Sequence, residues 1–161
     1  MLLNRCAGLA ALALALPAVP TSAGSSVPFR GVWQGVTISA VPQSPNTVLV
    51  VASGKGTATR LGQFQMTSPH LTYLSTLQVE GTQTFTAANG DLLFATISGQ
   101  FVPDAEGNLD ATLSGVITGG TGRFSGATGS YDFRIHSEPA AFGFDSTAEI
   151  DGSISSVGSG K

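Results

Sequence analysis

Alternation with a period of two is the feature that most narrows the folds open to this chain. Between residues 29 and 154, runs with apolar side chains at every second position recur eight times, divided by clusters of Gly, Pro, Asn and Asp. In the run 77–87, Leu77, Val79, Gly81, Gln83 and Phe85 share one face, while Gln78, Glu80, Thr82, Thr84 and Thr86 share the other. In 130–138, Tyr131, Phe133 and Ile135 oppose Asp132, Arg134, His136 and Glu138. One face is dry and one wet, as in an antiparallel sheet.

The remaining runs are 29–41, 47–59, 61–74, 91–102, 109–119 and 142–154, with the third interrupted at Pro69. Asn89-Gly90, between the fourth and fifth runs, is a strong two-residue hairpin signal. Gly, Thr, Ser, Val and Phe dominate these segments, and no helical periodicity competes with them. The expected fold is all-β: a single eight-stranded antiparallel β-barrel, closed so that no edge strand is left bare, with a two-sheet β-sandwich as the alternative.

The first residues, "MLLNRCAGLAALALALPAVPTSAG", have a basic start at Arg5, an apolar run and small residues up to Ala23. That is the pattern of a secretory signal peptide over residues 1–23, and the run is too short for a membrane span. The expected organisation is a leader at 1–23, an N-terminal extension at 24–28, a barrel at 29–154 and a flexible tail at 155–161, in a protein secreted or released to a periplasm. Removing the leader leaves 138 residues without a cysteine, because Cys6 departs with it, and no thiol remains for catalysis or metal binding. The net charge goes from −3 to about −4 with the loss of Arg5, and the basic residues are scattered, which argues against nucleic acid as a partner.

"ITGGTGRFSGATGS", residues 117–130, resembles a phosphate-cradling loop at first sight. Such loops lead from a strand into a helix whose N-terminus holds the pyrophosphate. Here Ser125 stands where the last glycine belongs, and the residues that follow alternate like a strand. The segment therefore reads as a connection in which Gly119, Gly120 and Gly122 take angles closed to other residues, Phe124 plugs one end of the barrel and Arg123 lies at the rim. "DAEGNLD", residues 104–110, has oxygen ligands at alternate positions but lacks the closing glutamate of a calcium loop, and reads as a polar turn. His70 and His136 are the only histidines, and no third ligand is spaced to complete a zinc site with them. No metal and no cofactor are expected.

"GGTGRFSGATGSYDF", from Gly119, is similar to the glycine segment between two late strands in dirigent proteins and the wider allene oxide cyclase-like group of eight-stranded barrels. "GKGTATRLGQF", from Gly54, is similar to an earlier pattern of the bacterial members of that group. The resemblance implies the same barrel and a cavity within it. Its members include proteins that steer the coupling of phenoxy radicals and cyclases that work without a cofactor, but their active residues have no local match here.

From the strand faces alone, Glu80, Asp132, Asp145, Glu149 and Asp151 are wet, and Gln34, Gln83, Tyr131 and His70 are the polar groups on apolar faces. With Met66, Phe85 and Phe133 they form the expected ligand-binding set: Gln34, Met66, His70, Gln83, Phe85, Tyr131 and Phe133. The expected function is binding of a small apolar or aromatic molecule, with no catalysis required. The alternatives are a cofactor-free cyclase or isomerase, a dirigent-like guide of a reactive intermediate, and a structural or adhesive envelope protein. Oligomeric state is left open, with a homo-oligomer among the options.

Overall fold

The computed structural model describes residues 25–155. The expected leader at 1–23 and nearly all of the expected tail lie outside those residues. Eight long strands account for almost everything described: β1 (Ser26–Ser44), β2 (Thr47–Ala58), β3 (Gly62–Tyr73), β4 (Gln78–Ala87), β5 (Leu92–Gln100), β7 (Leu109–Gly120), β8 (Gly129–Pro139) and β9 (Phe144–Ser155). A two-residue strand, β6 (Val102–Pro103), pairs with the start of β7 across the "DAEG" turn.

Each long strand pairs antiparallel with the next in sequence, β7 following β5, and β1 pairs with β9 to complete the circuit. The sheet is thus a single closed up-and-down meander, and the sandwich alternative is excluded because no pair of free sheet edges exists among the long strands. Closure pairs the long strands on both sides around the barrel, so most of the backbone groups that an open edge would present are used internally; residues 37–44 of β1 extend past β9 and pair with β2 alone.

Local sequence explains the ends of the strands. Gly90, with φ of 87°, makes the tight β4–β5 turn, where its amide donates to the Ala87 carbonyl. The β3 strand runs unbroken through Pro69, contrary to the expected interruption. The ladder to β2 continues across Val51 and Pro69, while the ladder to β4 skips Ser68 and Pro69, the latter having no amide proton to give. β1 is longer than expected because Pro42 and Ser44 still pair with Val48 and Thr47, after a bulge near Ile38.

The core is aromatic. Phe29, Phe64, Phe85 and Tyr131 meet edge to face, with ring centroids between 5.3 and 6.2 Å apart, and Trp33 tilts against Phe133 at 5.7 Å. Inward glycines provide the sockets for these rings. A Cβ on Gly115 would lie 2.3 Å from the Tyr131 ring, and one on Gly56 would lie 2.6 Å from the Phe64 ring. At the end of the barrel that carries the β7–β8 connection, Phe124 is fully buried in the same core as Leu61, Leu93, Ala127 and Ile154, and its carbonyl accepts from the Ala127 amide.

Candidate functional site

The glycine-rich connection is an architectural device. It joins two antiparallel strands through a single 3-10 turn, Gly122–Phe124, with no helix behind it to hold a phosphate. Gly119 and Gly122 have positive φ as expected, at 140° and 52°. Gly120 does not; it is needed for space, since a Cβ there would meet the Leu92 carbonyl at 2.2 Å and the Phe124 side chain at 2.6 Å.

Arg123 is committed to the fold. Its Nη2 donates to the Leu61 carbonyl at 3.1 Å, its amide donates to Asp91 Oδ2 at 3.2 Å, and its guanidinium lies over the Phe124 ring at 4.8 Å. It ties the β2–β3, β4–β5 and β7–β8 connections together over the plug. Asp104 is likewise used locally: Oδ1 accepts from the amides of Glu106 and Asn108, and Oδ2 accepts from Asn108 Nδ2. Among the described residues no group of three or more His, Cys, Asp or Glu could hold a metal ion.

Five of the sequence-expected ligand residues come together inside the barrel. Met66, Gln83, Phe85, Tyr131 and Phe133 are all buried and belong to one packed interior. The Tyr131 hydroxyl donates to Gln83 Oε1 at 2.5 Å. Burial pushes the Tyr131 hydroxyl well above the ordinary tyrosine range, so it stays protonated as a donor. His70 is inward-facing and half-buried near the opposite end from Phe124. Its Nδ1 lies 3.1 Å from the Ser68 carbonyl, which can only accept, so Nδ1 carries the proton and Nε2 is left as an acceptor. Burial lowers its pKa, and the Ser68 bond opposes that in part.

Gln34 is not with them. It is exposed on the outer wall, and its neighbour Trp33 takes the inward place, 3% exposed. The phase of β1 is therefore one residue away from the expected one. Both faces of β1 carry apolar side chains, so alternation alone does not choose between them, and the larger rings of Phe29 and Trp33 win the interior over Val32 and Val36. Trp33 is the functional candidate that sequence reasoning missed: its indole Nε1 is buried without an acceptor. The signal available for it was Arg30, which fixes the wet face of β1 and puts Phe29, Gly31 and Trp33 on the other.

The outer wall holds an open depression of about 1560 Å³. Its residues align across strands. The ladders place Gln65 beside Lys55, Lys55 beside Gln34, Gln34 beside Thr147, Thr147 beside His136 and His136 beside Asp110. Thus Gln34, expected inside, lies at the middle of a polar row on the outside.

His136 is held by carboxylates. Nδ1 is 2.8 Å from Asp110 Oδ1 and Nε2 is 3.6 Å from Glu138 Oε1. The Asp110 hydrogen bond above all raises its pKa above the ordinary histidine value. Asp145, on the neighbouring strand β9, pairs in register with Glu138 rather than with His136. Arg134 spans Asp132 at 3.6 Å and Asp151 at 3.9 Å, and Arg30 bonds Asp151 at 2.9 Å, so Asp132 and Asp151 are compensated on the surface.

No family model matches the sequence, and no curated protein matches it. Among solved structures, the chain is similar to the pterocarpan synthase dirigent protein GePTS1, with a TM-score of 0.49 and 11% sequence identity, over 89% of this chain and 92% of that one.

Proposed function

We propose that the protein is an exported, non-catalytic binding barrel whose ligand is held on the outer wall. Export is supported by the leader-like residues 1–23. One observation carries the binding site: the inward side chains pack against one another as a core, whereas an open depression of about 1560 Å³ crosses the outside. No Asp or Glu of the described strands faces inward, which leaves a cyclase without the inward carboxylate that such chemistry would use. The test is native mass spectrometry of the protein recovered from the medium of its own host, compared with a variant in which Gln34 and Thr147 are alanine. A bound molecule retained by the parent and lost from the variant supports the reading. A molecule retained equally by both moves the site elsewhere, and the absence of any retained molecule favours a structural or adhesive role.

A second reading keeps the ligand inside, as a small apolar or aromatic molecule. It is favoured by the Trp33 indole N–H, a buried donor without an acceptor, which a carbonyl or carboxylate oxygen could satisfy. Trp33 is the only tryptophan, so its emission reports directly on such a guest. A saturable change on titration with cyclohexanecarboxylate supports this reading, and an unchanged spectrum removes it.

A further inference from the structure

We infer that the open edge of β1, from Thr37 to Val41, is an interaction surface that takes the same edge of a second copy of this chain, antiparallel about a twofold axis. The inference goes beyond the outer-wall reading and does not depend on it.

The first argument is where closure stops. β1 and β9 part after Val36, which pairs with Asp145, while β1 and β2 stay paired as far as Ser44 and Thr47. A bulge at Ile38 bends β1 at that point. The β8–β9 turn, residues 140–143, reaches β1 at Thr37, whose Oγ1 accepts from the Phe144 amide at 3.2 Å. Beyond it Ile38 and residues 40–46 are exposed, and among the described residues no strand pairs with that side. Pro42 has no amide proton to offer, and the Val41 carbonyl accepts from Gln43 Nε2 at 3.2 Å, so the usable edge ends there.

The second argument is what the edge lacks. From Gly31 to Gly54 the chain has no Asp, Glu, Lys or Arg. A charged side chain is the common guard against strand addition, and only the bulge and Pro42 stand in its place. Val36, Ile38, Val41 and Phe142 are exposed beside the edge, Phe142 by 57%.

The third argument is symmetry, which selects a second copy over a foreign strand. Antiparallel pairing about Ser39 sets Thr37 opposite Val41 of the partner subunit and Ile38 opposite Ala40 of the partner subunit, with no charge against its like. It also brings Phe142, held at Thr37 through Gly143, next to Val41 of the partner subunit. Each copy then uses its main open edge, so the assembly closes as a dimer instead of growing. A pairing of this length buries less than the roughly 1,200–2,000 Å² of a standard interface, so the dimer forms reversibly.

The experiment is sedimentation velocity on the protein recovered from its host, over a roughly hundredfold range of concentration. A monomer–dimer equilibrium is expected, its dissociation constant weakened at least about tenfold in Ile38→Lys/Val41→Lys, which places charge on the edge. Val116→Lys, at an exposed apolar site on β7 away from the edge, should dimerise like the parent. Under oxidised glutathione, Ser39→Cys should cross-link into a covalent dimer well beyond any seen with Val116→Cys. Opposed residues of an antiparallel pair have Cα atoms about 4.5–5.5 Å apart, within reach of a disulfide. A monomer at every concentration overturns the inference, as does a dimer that persists in the lysine double variant or is lost equally in Val116→Lys. Cross-linking no greater in Ser39→Cys than in Val116→Cys overturns the pairing about Ser39.

Discussion

The Tyr131–Gln83 hydrogen bond gives the most direct test of the barrel interior. Tyr131 is 3% exposed and Gln83 1% exposed, and the hydroxyl donates to Oε1 at 2.5 Å among Phe29 and Phe85. Tyr131→Phe removes one oxygen and leaves a buried carbonyl oxygen without that donor, which costs about 1–3 kcal/mol. Gln83→Met keeps nearly the same volume and leaves the tyrosine hydroxyl without its acceptor, at a similar cost. The double variant has neither orphan, so its stability should fall within about 1 kcal/mol of the parent, below the sum of the singles. Equilibrium unfolding in urea measures this. With a slope of about 2 kcal/mol/M, each single variant should lower the midpoint by roughly 0.5–1.5 M, and the double variant should recover most of that. Strict additivity of the two singles, or a neutral Tyr131→Phe, would refute the assignment of this bond as the satisfied polar centre of the core.

Four further outcomes follow from the same structure. Phe124→Ala empties the plug of a fully buried ring and should cost about 3–5 kcal/mol by urea unfolding; a loss under 1 kcal/mol would mean that the connection collapses onto the gap. Gly115→Ala sets a Cβ 2.3 Å from the Tyr131 ring, and should destabilise by roughly 1–3 kcal/mol, less in a Tyr131→Leu background where the ring is gone. His70 has a folded pKa below the ordinary 6.5, so the unfolded chain takes up its proton first. Its contribution to stability is complete above pH 6.5 and is lost as pH falls through the folded value, a decline that should be absent from unfolding curves of His70→Gln. His136 is shifted the other way: its contribution is complete below 6.5 and is lost as pH rises through the folded value. Its imidazole signals in an NMR titration should move back toward 6.5 in Asp110→Asn.

Most of the barrel could be read from the chain because its strands obey alternation with few exceptions. The β4 face of Val79, Gln83 and Phe85 and the β8 face of Tyr131 and Phe133 are inward as alternation requires, and Phe124 fills the end it was expected to fill. Alternation fails where it carries no contrast. β1 has Phe29 and Trp33 on one face and Val32, Val36 and Ile38 on the other, so hydrophobicity cannot set its phase, and Gln34 is misplaced by one residue. The charge of Arg30 marks the wet face in the sequence, and volume agrees with it once Gly56 is known to stand opposite Trp33 on β2. Pro69 misleads for a related reason. Whether its missing amide matters depends on which neighbour the amide would face, and that is a property of the assembled sheet.

The outer row was hidden more deeply, because it exists in no single segment. Gln34 and Gln65 are separated by two hairpin turns and the whole of β2, and Gln34 and Thr147 by most of the chain; only the β1–β9 register that closes the barrel sets Gln34 beside Thr147. Closure has a second consequence for function. With most strand edges paired, main-chain groups open to strand addition are left chiefly along residues 37–44 of β1, which pair with β2 alone, while the inward rings pack on one another. The outer wall presents side chains in an order that the ladder register fixes, one strand beside the next. The bulges near Ile38 and Thr118 lie outside the six-strand row, so its register is undisturbed from β3 to β7. Inserting one residue between Lys55 and Gly56 would shift Gln65 relative to Gln34, so loss of a retained ligand from that variant, with retention by Gln65→Ala, would show that the register rather than Gln65 itself matters to the outer-wall reading.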